Sequence, residues 1–114
     1  MRNSLSQEKE IMRVLRQKPF FSRNFSLKQL PGRNDSYRYT IIISKKTIKL
    51  ATSRNLVKRR IRAIIIKYSD LIKKRDFVVS VRPSALLVRG KELEKELLIL
   101  FNKGGLLTRK PWIQ

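Results

Sequence analysis

The 114-residue chain contains no cysteine and no histidine. Without cysteine it forms no disulfide and no thiolate metal site, and without histidine it lacks the usual nucleophilic triads, histidine general bases and zinc ligand sets. Catalysis by the protein itself would rest on carboxylates, of which there are only 8. No pair of these is spaced to indicate a metal-dependent nuclease centre. The sequence therefore predicts neither catalytic nor metal-binding residues.

Long apolar runs are also missing. No stretch approaches the length that spans a bilayer, and the N-terminus "MRNSLSQEKE" lacks the apolar segment of a signal peptide. The absence of cysteine is compatible with a reducing compartment. We therefore expect a soluble cytoplasmic protein without a membrane partner.

Acidic residues are scarce beside basic ones. The 28 Lys and Arg residues exceed the 8 Asp and Glu residues enough to give a formal charge of +20. Such an excess repels itself in a folded chain and favours a polyanionic partner. Nucleic acid is the first candidate partner, and an anionic membrane surface is the second.

Length and composition predict one domain over residues 1–114. Its C-terminal segment, 106–114, is predicted to be an extended tail or a short strand. In the N-terminal half, a first helix is predicted from a cap at Ser4 or Ser6 to about Lys18, with an apolar stripe that includes Met12. "FFSRNFSLKQL" at 20–30 predicts a strand, "PGRND" at 31–35 a turn, and "SYRYTIIIS" at 36–44 a second strand, together an antiparallel hairpin.

The C-terminal half predicts a helix, a central strand and a last helix. The first of these helices is capped by Thr52 or Ser53 and runs to about Tyr68. The strand covers 76–83, and the last helix begins at Gly90 and is ended by Gly104. This order of strands and helices indicates an α/β (α+β) fold. The last helix is predicted to turn inward the side chains of Leu93, Leu97, Leu100 and Phe101.

The remaining acids are predicted to be structural. On the last helix Glu92, Glu94 and Glu96 have the pattern of a solvated surface with local ion pairs. Asp70 and Asp76 flank the start of the strand at 76–83 and are predicted to cap or pair locally.

The segment "SRNLVKRRIR" at 53–62 contains five basic residues and no acid. Arg54, Lys58 and Arg62 are spaced four apart, and like-charge pairs at that spacing destabilise an isolated helix by about 0.2–0.5 kcal/mol each. Their pattern therefore favours a ligand such as a phosphate backbone, although a solvated basic face remains the alternative. Beside them one apolar arc is predicted to face the core, formed by Val57, Ile61, Ile64, Ile65 and Tyr68.

Three stretches, "SKK" at 44–46, "ATSRNLVKRRIR" at 51–62 and "DFVVSVRP" at 76–83, resemble the protein subunit of bacterial ribonuclease P. The resemblance extends from the first helix to about Gly105. It implies a four-stranded mixed sheet packed with about three helices, and a left-handed crossover between parallel strands. Leu56 stands where the family has an arginine, and 47–53 lacks the usual glycine.

The resemblance also implies which residues bind RNA. The positions carried over as contacts with the catalytic RNA are Arg54, Asn55, Lys58, Arg59 and Arg62. Arg60, Lys45 and Lys46 are added as neighbouring cations. For Asn55, a first-turn residue that satisfies backbone donors is an equally good interpretation.

A second implied site is a cleft between the first helix and the sheet, which in the family holds the single-stranded 5′ leader of precursor tRNA. The leader-binding candidates are Ile11, Leu15, Arg16, Phe20, Arg23 and Lys28. The first two stand where the family usually has aromatic residues. Possible aromatic substitutes are Phe20, Phe21, Phe25, Tyr37 and Tyr39, with the hydrophobic core as the competing interpretation for Phe21 and Phe25.

The implied function is to assist an RNA subunit that cuts precursor tRNA at its mature 5′ end with bound Mg²⁺. The expected partners are that RNA and precursor tRNA, and no homo-oligomer is predicted. A structural or ribosomal RNA-binding protein is the main alternative. A protein-only nuclease, a DNA-binding protein and a membrane-surface protein are weaker ones.

Overall fold

The structure, a computed structural model, describes residues 4–32 and 35–112. The predicted turn at 31–35 therefore lies partly outside the described residues. Short 3₁₀ turns occupy Ser69–Leu71 and Pro83–Leu87. The helices and strands are α1 (Glu8–Leu15), β1 (Phe20–Phe21), β2 (Phe25–Pro31), β3 (Arg38–Ile42), α2 (Ala51–Lys67), β4 (Arg75–Val81) and α3 (Gly90–Lys103).

The strands form one mixed sheet in the order β1-β2-β4-β3. β4 is antiparallel to β2 and parallel to β3, with Val79 opposite Leu27 on one side and Ile41 on the other. The predicted four-stranded mixed sheet with three helices is thereby confirmed, as is the central position of β4. The handedness of the β3–α2–β4 connection stays a prediction from the resemblance.

The predicted hairpin of residues 20–30 with 36–44 is wrong, because β4 lies between the two strands. Four of the five residues Phe77–Val81 are buried, so this segment can occupy the centre of the sheet with apolar contacts on both faces. Residues 20–30 are also two strands rather than one. They turn back on themselves, so that Phe20 pairs with Leu27 and Phe21 with Ser26.

The two faces of the sheet carry different helices. α2 and α3 cover the face that holds Phe25, Leu27, Phe77 and Val79, and together they form the main core. The predicted inward side of α3 is confirmed, since Leu93, Leu97, Leu100 and Phe101 are all buried. We call the opposite face, against which α1 packs, the α1 face.

α1 is shorter than predicted. It begins at Glu8 rather than after Ser4 or Ser6, because the Leu5 amide donates to the Tyr39 carbonyl over 2.8 Å and holds this segment against β3. The helix ends at Leu15, whose carbonyl accepts a 2.9 Å bond from Lys28 Nζ. On the α1 face a small second cluster consists of Leu5, Val14 and Val78, while Met12 is exposed.

Arg38 joins α1 to the sheet. Its Nη2 lies 2.6 Å from Glu10 Oε2 and 2.8 Å from Asp76 Oδ2. The prediction that Asp76 pairs locally is therefore wrong, since its partner stands 38 residues away. Local spacing in the sequence does not reveal a pair that forms only when two strands align.

The C-terminal segment 106–114 begins with packed residues. Leu106 and Leu107 are buried, and Leu107 forms an antiparallel bridge with Ile72. Gly105, at φ 73°, lets the chain leave α3 in the left-handed conformation that glycine favours. Residues 113–114 of the tail lie outside the described residues. None of the helices in the described part combines the length and apolarity that a membrane crossing requires.

Two of the three acids of α3 are engaged over long range, contrary to the predicted local ion pairs, while Glu92 is exposed. Glu96 accepts hydrogen bonds from Ser22 Oγ at 2.5 Å and the Asn24 amide at 2.7 Å, and so holds the turn between β1 and β2. Glu94 accepts a 2.6 Å bond from the Tyr68 hydroxyl and lies 3.3 Å from Lys67 Nζ. α3 is thus tied to both β1–β2 and the end of α2.

The Glu94 contacts predict a dependence of stability on pH. The Tyr68 hydroxyl and then Lys67 lower the pKa of Glu94 below its ordinary value of 4.5. A lowered folded-state pKa contributes stability above the ordinary pKa, and this contribution is lost as the pH falls through the folded-state value. We expect Glu94→Gln to be less stable than the wild type at neutral pH, with the difference narrowing below about pH 4.5.

Chemical denaturation between neutral and acid pH measures this difference. Glu92→Gln, which removes an exposed carboxylate from the same helix, is the control and should show no such narrowing. A Glu94→Gln deficit that stayed constant down to pH values below the folded-state pKa would contradict the assigned contacts.

Candidate nucleic-acid interface

α2 divides into a buried and an exposed side, as its periodicity predicts. Val57, Ile61, Ile64 and Ile65 are buried, and Tyr68, just past the helix, is partly buried against the same core. The predicted caps are wrong, because the helix already begins at Ala51 and Leu50 takes the N-cap position without a side-chain bond. Thr52 and Ser53 therefore lie inside the first turn.

Arg54 contacts the backbone of the loop that precedes the helix. Its Nη1 donates to the carbonyls of Ile48 and Lys49, each at 2.8 Å, and so fixes the loop that leads into α2. A cation in the first turn opposes the helix dipole, and these two bonds offset that cost. Within the described residues the other guanidinium donors of Arg54 make no hydrogen bond and remain available.

One flank of α2 carries a continuous set of polar and basic side chains. Asn55, Arg59 and Arg62 are exposed, while Arg54 and Lys58 are half-buried. Among the described residues the ion pairs involve only Arg38 and Lys67 as cations, so no acid neutralises this flank. We call it the α2 ridge, defined as Arg54, Asn55, Lys58, Arg59 and Arg62.

The α2 ridge borders the outer edge of the sheet. Lys58 and Arg62 line a crevice of about 290 Å³ together with Tyr39, Thr40 and Ile41 of β3. Burial raises the pKa of the Tyr39 hydroxyl, and the neighbouring Arg62 guanidinium opposes that rise. The crevice thus presents two cations beside strand backbone, which suits an anionic group.

The other predicted cations do not all join the ridge. Lys45 and Lys46 are exposed in the turn that precedes α2. Arg60 lies on the opposite flank of α2, where it lines a cleft against Gly90 and Lys91 of α3. The structure therefore separates Arg60 from the residues with which the sequence grouped it.

Four leader-binding candidates come together on the α1 face. Ile11 and Leu15 are half-buried against the cluster around Val78. Arg16 is exposed at the C-cap of α1, and Lys28 reaches the end of the same helix through its bond to the Leu15 carbonyl. These side chains combine apolar surface with positive charge at one end of α1.

Phe20 and Arg23 lie elsewhere. Phe20 pairs with Leu27 and packs against the main core, on the face opposite α1. Arg23 lines a cavity beside Glu92 and Glu96 of α3. The aromatic candidates Phe25, Tyr37 and Tyr39 are buried in the main core.

Phe21 is the aromatic substitute that reaches the α1 face, and beside it lies Arg82, which the sequence interpretation missed. The register pairs Phe21 with Ser26 and Ser26 with Ser80, which places Phe21 on the α1 face. Its ring is 51% exposed, and the Arg82 guanidinium carbon lies 5.4 Å from the ring centre. The one-residue alternation of the strand was the available signal, since it separates Phe21 from Phe20.

Comparison with known proteins gives one consistent family. The model of the Ribonuclease P family matches residues 1–105. The ribonuclease P protein component of Bacillus pumilus is 31% identical over 113 residues, which covers 96% of this chain and 94% of the relative. The corresponding protein of Mycoplasma genitalium is 30% identical over 102 residues, which covers 89% and 80%.

Solved structures show the same fold. The RNase P protein of Staphylococcus aureus superposes with a TM-score of 0.85 at 20% identity, over 93% of this chain and 98% of the other. That of Thermotoga maritima gives a TM-score of 0.79 at 24% identity, over 90% and 97%. With the family match along most of its length, this chain belongs to the bacterial ribonuclease P protein components, subunits of the endoribonuclease that processes tRNA.

Proposed function

We propose that this protein binds the catalytic RNA through the α2 ridge and the 5′ leader of precursor tRNA on the α1 face. In this role it assists the Mg²⁺-dependent cut that the RNA subunit makes at the mature 5′ end of tRNA in the cytoplasm. The observation that carries the proposal is the α2 ridge itself, a cationic surface with no acid paired to it among the described residues. Because the chain belongs to the ribonuclease P family, we assign the RNA subunit as the polyanion that this surface binds.

The α2 ridge suits a folded RNA for two physical reasons. Its apolar underside holds the helix against the core, so the charges are presented from a fixed support. Lys58 and Arg62 are one helical turn apart, and cations in such a row neutralise successive phosphates and release condensed counterions. Arg54, with its Nη1 fixed by the loop carbonyls, adds an oriented guanidinium at the start of the row.

The presence of Leu56 affects which residues of α2 can contact RNA. It is 39% exposed on α2, where the family has an arginine, and Arg60 follows it by one turn on the same flank. We infer that Arg60 supplies the positive charge that Leu56 lacks, from the next turn of the helix. Arg60 then contacts RNA on the side of α2 away from Lys58 and Arg62.

The α1 face suits an unpaired leader. The exposed ring of Phe21 offers a surface for base stacking, which is worth about 1–3 kcal/mol per base and tolerates any sequence. Arg82 and Lys28 place positive charge near the ring and near α1, where they can contact the leader backbone. Ile11 and Leu15 provide apolar contact without stacking.

The described residues of the protein form no cluster that fits a metal centre. Among the described residues no group of three or more carboxylates could hold an ion. We therefore assign Mg²⁺ to the RNA subunit and its substrate, and we assign the protein the task of neutralising phosphates and positioning the leader.

Reconstitution with the cognate RNA subunit tests this function. At low Mg²⁺ we expect the protein to accelerate cleavage of precursor tRNA, and to do so more for a precursor with a long leader than for one with a trimmed leader. Phe21→Ala should weaken binding of the long-leader precursor by about 1–3 kcal/mol and leave the trimmed one unchanged. Leu87→Ala, which removes another exposed apolar side chain, is the matched control.

Two outcomes would count against the proposal. If the protein bound RNA without accelerating cleavage, a structural RNA-binding role would replace the proposed one. If Phe21→Ala weakened binding of both precursors equally, the α1 face would not be the leader site.

A further inference from the structure

The side of α2 that faces away from the α2 ridge borders a second charged surface. A cleft of about 360 Å³ between α2 and α3 is lined by Arg60, Lys91 and Glu94. It adjoins a larger cleft of about 540 Å³, which shares Lys91 and Glu94 and continues to Trp112 near the C-terminus. We call the two together the α2–α3 groove.

The α2–α3 groove is positively charged. Arg60, Lys91 and Lys95 line it and, within the described residues, make no hydrogen bond or ion pair. The single acid among its lining residues, Glu94, is already bound by the Tyr68 hydroxyl at 2.6 Å and by Lys67. The groove thus has an excess of free cations, and its charge complements an anionic partner.

The uncharged residues that line the groove are mainly apolar or aromatic. Trp112, the only tryptophan of the chain, is 50% exposed, and Ile99 beside it is 47% exposed. One face of the Tyr68 ring is covered by Lys67 Nζ, 5.5 Å from the ring centre. Of the two aromatic side chains that line the groove, Trp112 therefore offers more surface to a ligand, and a half-exposed indole stacks well on a base.

We propose that the α2–α3 groove binds an unpaired stretch of RNA, with a base stacked on Trp112 and adjacent phosphates on Lys91 and Lys95. These two lysines are one helical turn apart, about 6 Å, and can therefore reach neighbouring phosphates. An acidic protein segment would match the charge but would leave the exposed indole without a planar partner. The proposal rests on the proposed function only in taking RNA as the polyanion, and it adds a third RNA-contact surface to the α2 ridge and the α1 face.

The single tryptophan allows a test that reports on this groove alone. The full-length protein is titrated with oligouridylate of about eight nucleotides, within the usual range of single-strand site sizes, while tryptophan fluorescence is followed. We expect quenching on binding. Lys91→Ala/Lys95→Ala should raise the Kd of the quenching at least about tenfold, since charge-assisted hydrogen bonds to phosphate are among the strong ones.

The matched control is Lys74→Ala/Lys103→Ala, which removes the same charge from exposed positions that do not line the groove. It should change the Kd of the quenching by no more than about threefold, through the general field of the protein. An equal loss in both variants would overturn the proposal, as would the absence of quenching. Stronger quenching by oligoglutamate of equal charge would also overturn it and would identify an acidic protein segment as the partner.

The outcome is separable from that of the proposed function. Precursor cleavage with the RNA subunit is measured independently of the fluorescence of Trp112. Loss of quenching with normal acceleration of cleavage would refute the groove and leave the α2 ridge and the α1 face in place.

Discussion

Replacing Lys58, Arg59 and Arg62 together by alanine should lower the affinity of the protein for its RNA subunit by about three orders of magnitude. A hydrogen bond to a charged group contributes roughly 1.5–3 kcal/mol, so three such bonds at the lower value account for that loss. The fold should survive, because these side chains form no ion pair within the described residues. Removing the Lys58–Arg62 repulsion even favours the helix by about 0.2–0.5 kcal/mol.

Binding measured across a series of salt concentrations distinguishes direct phosphate binding from general attraction. Each phosphate that the protein no longer neutralises reduces the slope of log affinity against log salt by about 0.7–0.9, so the triple variant should flatten it by roughly two to three. The matched control replaces three exposed cations that belong to none of the three proposed RNA surfaces, Lys74, Lys103 and Arg109. If this control weakened binding as much as the α2 ridge variant, net charge alone would explain the affinity.

The α2 ridge was predictable because its cause is local. A helix of 3.6 residues per turn brings residues four apart to one flank, so the apolar arc and the cations separate on the sequence alone. The structure agrees for Val57, Ile61, Lys58 and Arg62. It differs for Arg60, whose position in the turn places it on the other flank, where it lines the α2–α3 groove.

The order of the strands was not predictable from local signals. A turn between two apolar segments favours a hairpin, but the free energy of the sheet also depends on which strand is most apolar on both faces. That strand is β4, which follows α2 and separates β2 from β3. Successive side chains of a strand point to opposite faces of the sheet, so Phe21 faces α1 whereas its neighbour Phe20 does not.

The long-range hydrogen bonds of α3 were also not predictable from the sequence. Glu96 holds Asn24 at a separation of 72 residues, and Glu94 holds Tyr68 at a separation of 26. Charge patterning on α3 gave these acids the appearance of a solvated surface, because alternating Lys and Glu residues are typical of one. Which acids turn toward a neighbour depends on the tertiary packing of α3 against β1 and α2.

Arg38→Met should destabilise the protein by about 3 kcal/mol, since removing one partner of a buried ion pair leaves the other charge uncompensated. The Arg38 side chain is 17% exposed, and its two partners are 9% exposed at Asp76 and 27% at Glu10. Asp76 and then Glu10 raise the pKa of the Arg38 guanidinium above its ordinary value, so it stays charged throughout the pH range of folding. Methionine keeps much of the apolar stem, so the loss reports mainly on the charge.

Denaturant unfolding of double variants measures how much of the lost stability comes from each of the two partner carboxylates, Asp76 and Glu10. Because Asp76 is the more buried acid, Arg38→Met/Asp76→Asn should recover more stability than Arg38→Met/Glu10→Gln. Arg38 also fixes α1, so Arg38→Met should reduce the dependence of cleavage on the leader while leaving affinity of the α2 ridge for the RNA subunit unchanged. Equal recovery from both double variants would mean that the two carboxylates share the buried charge evenly. Loss of RNA affinity in Arg38→Met would mean that α1 and the α2 ridge are not independent, because a change at the anchor of α1 would then have spread through β3 to Lys58 and Arg62.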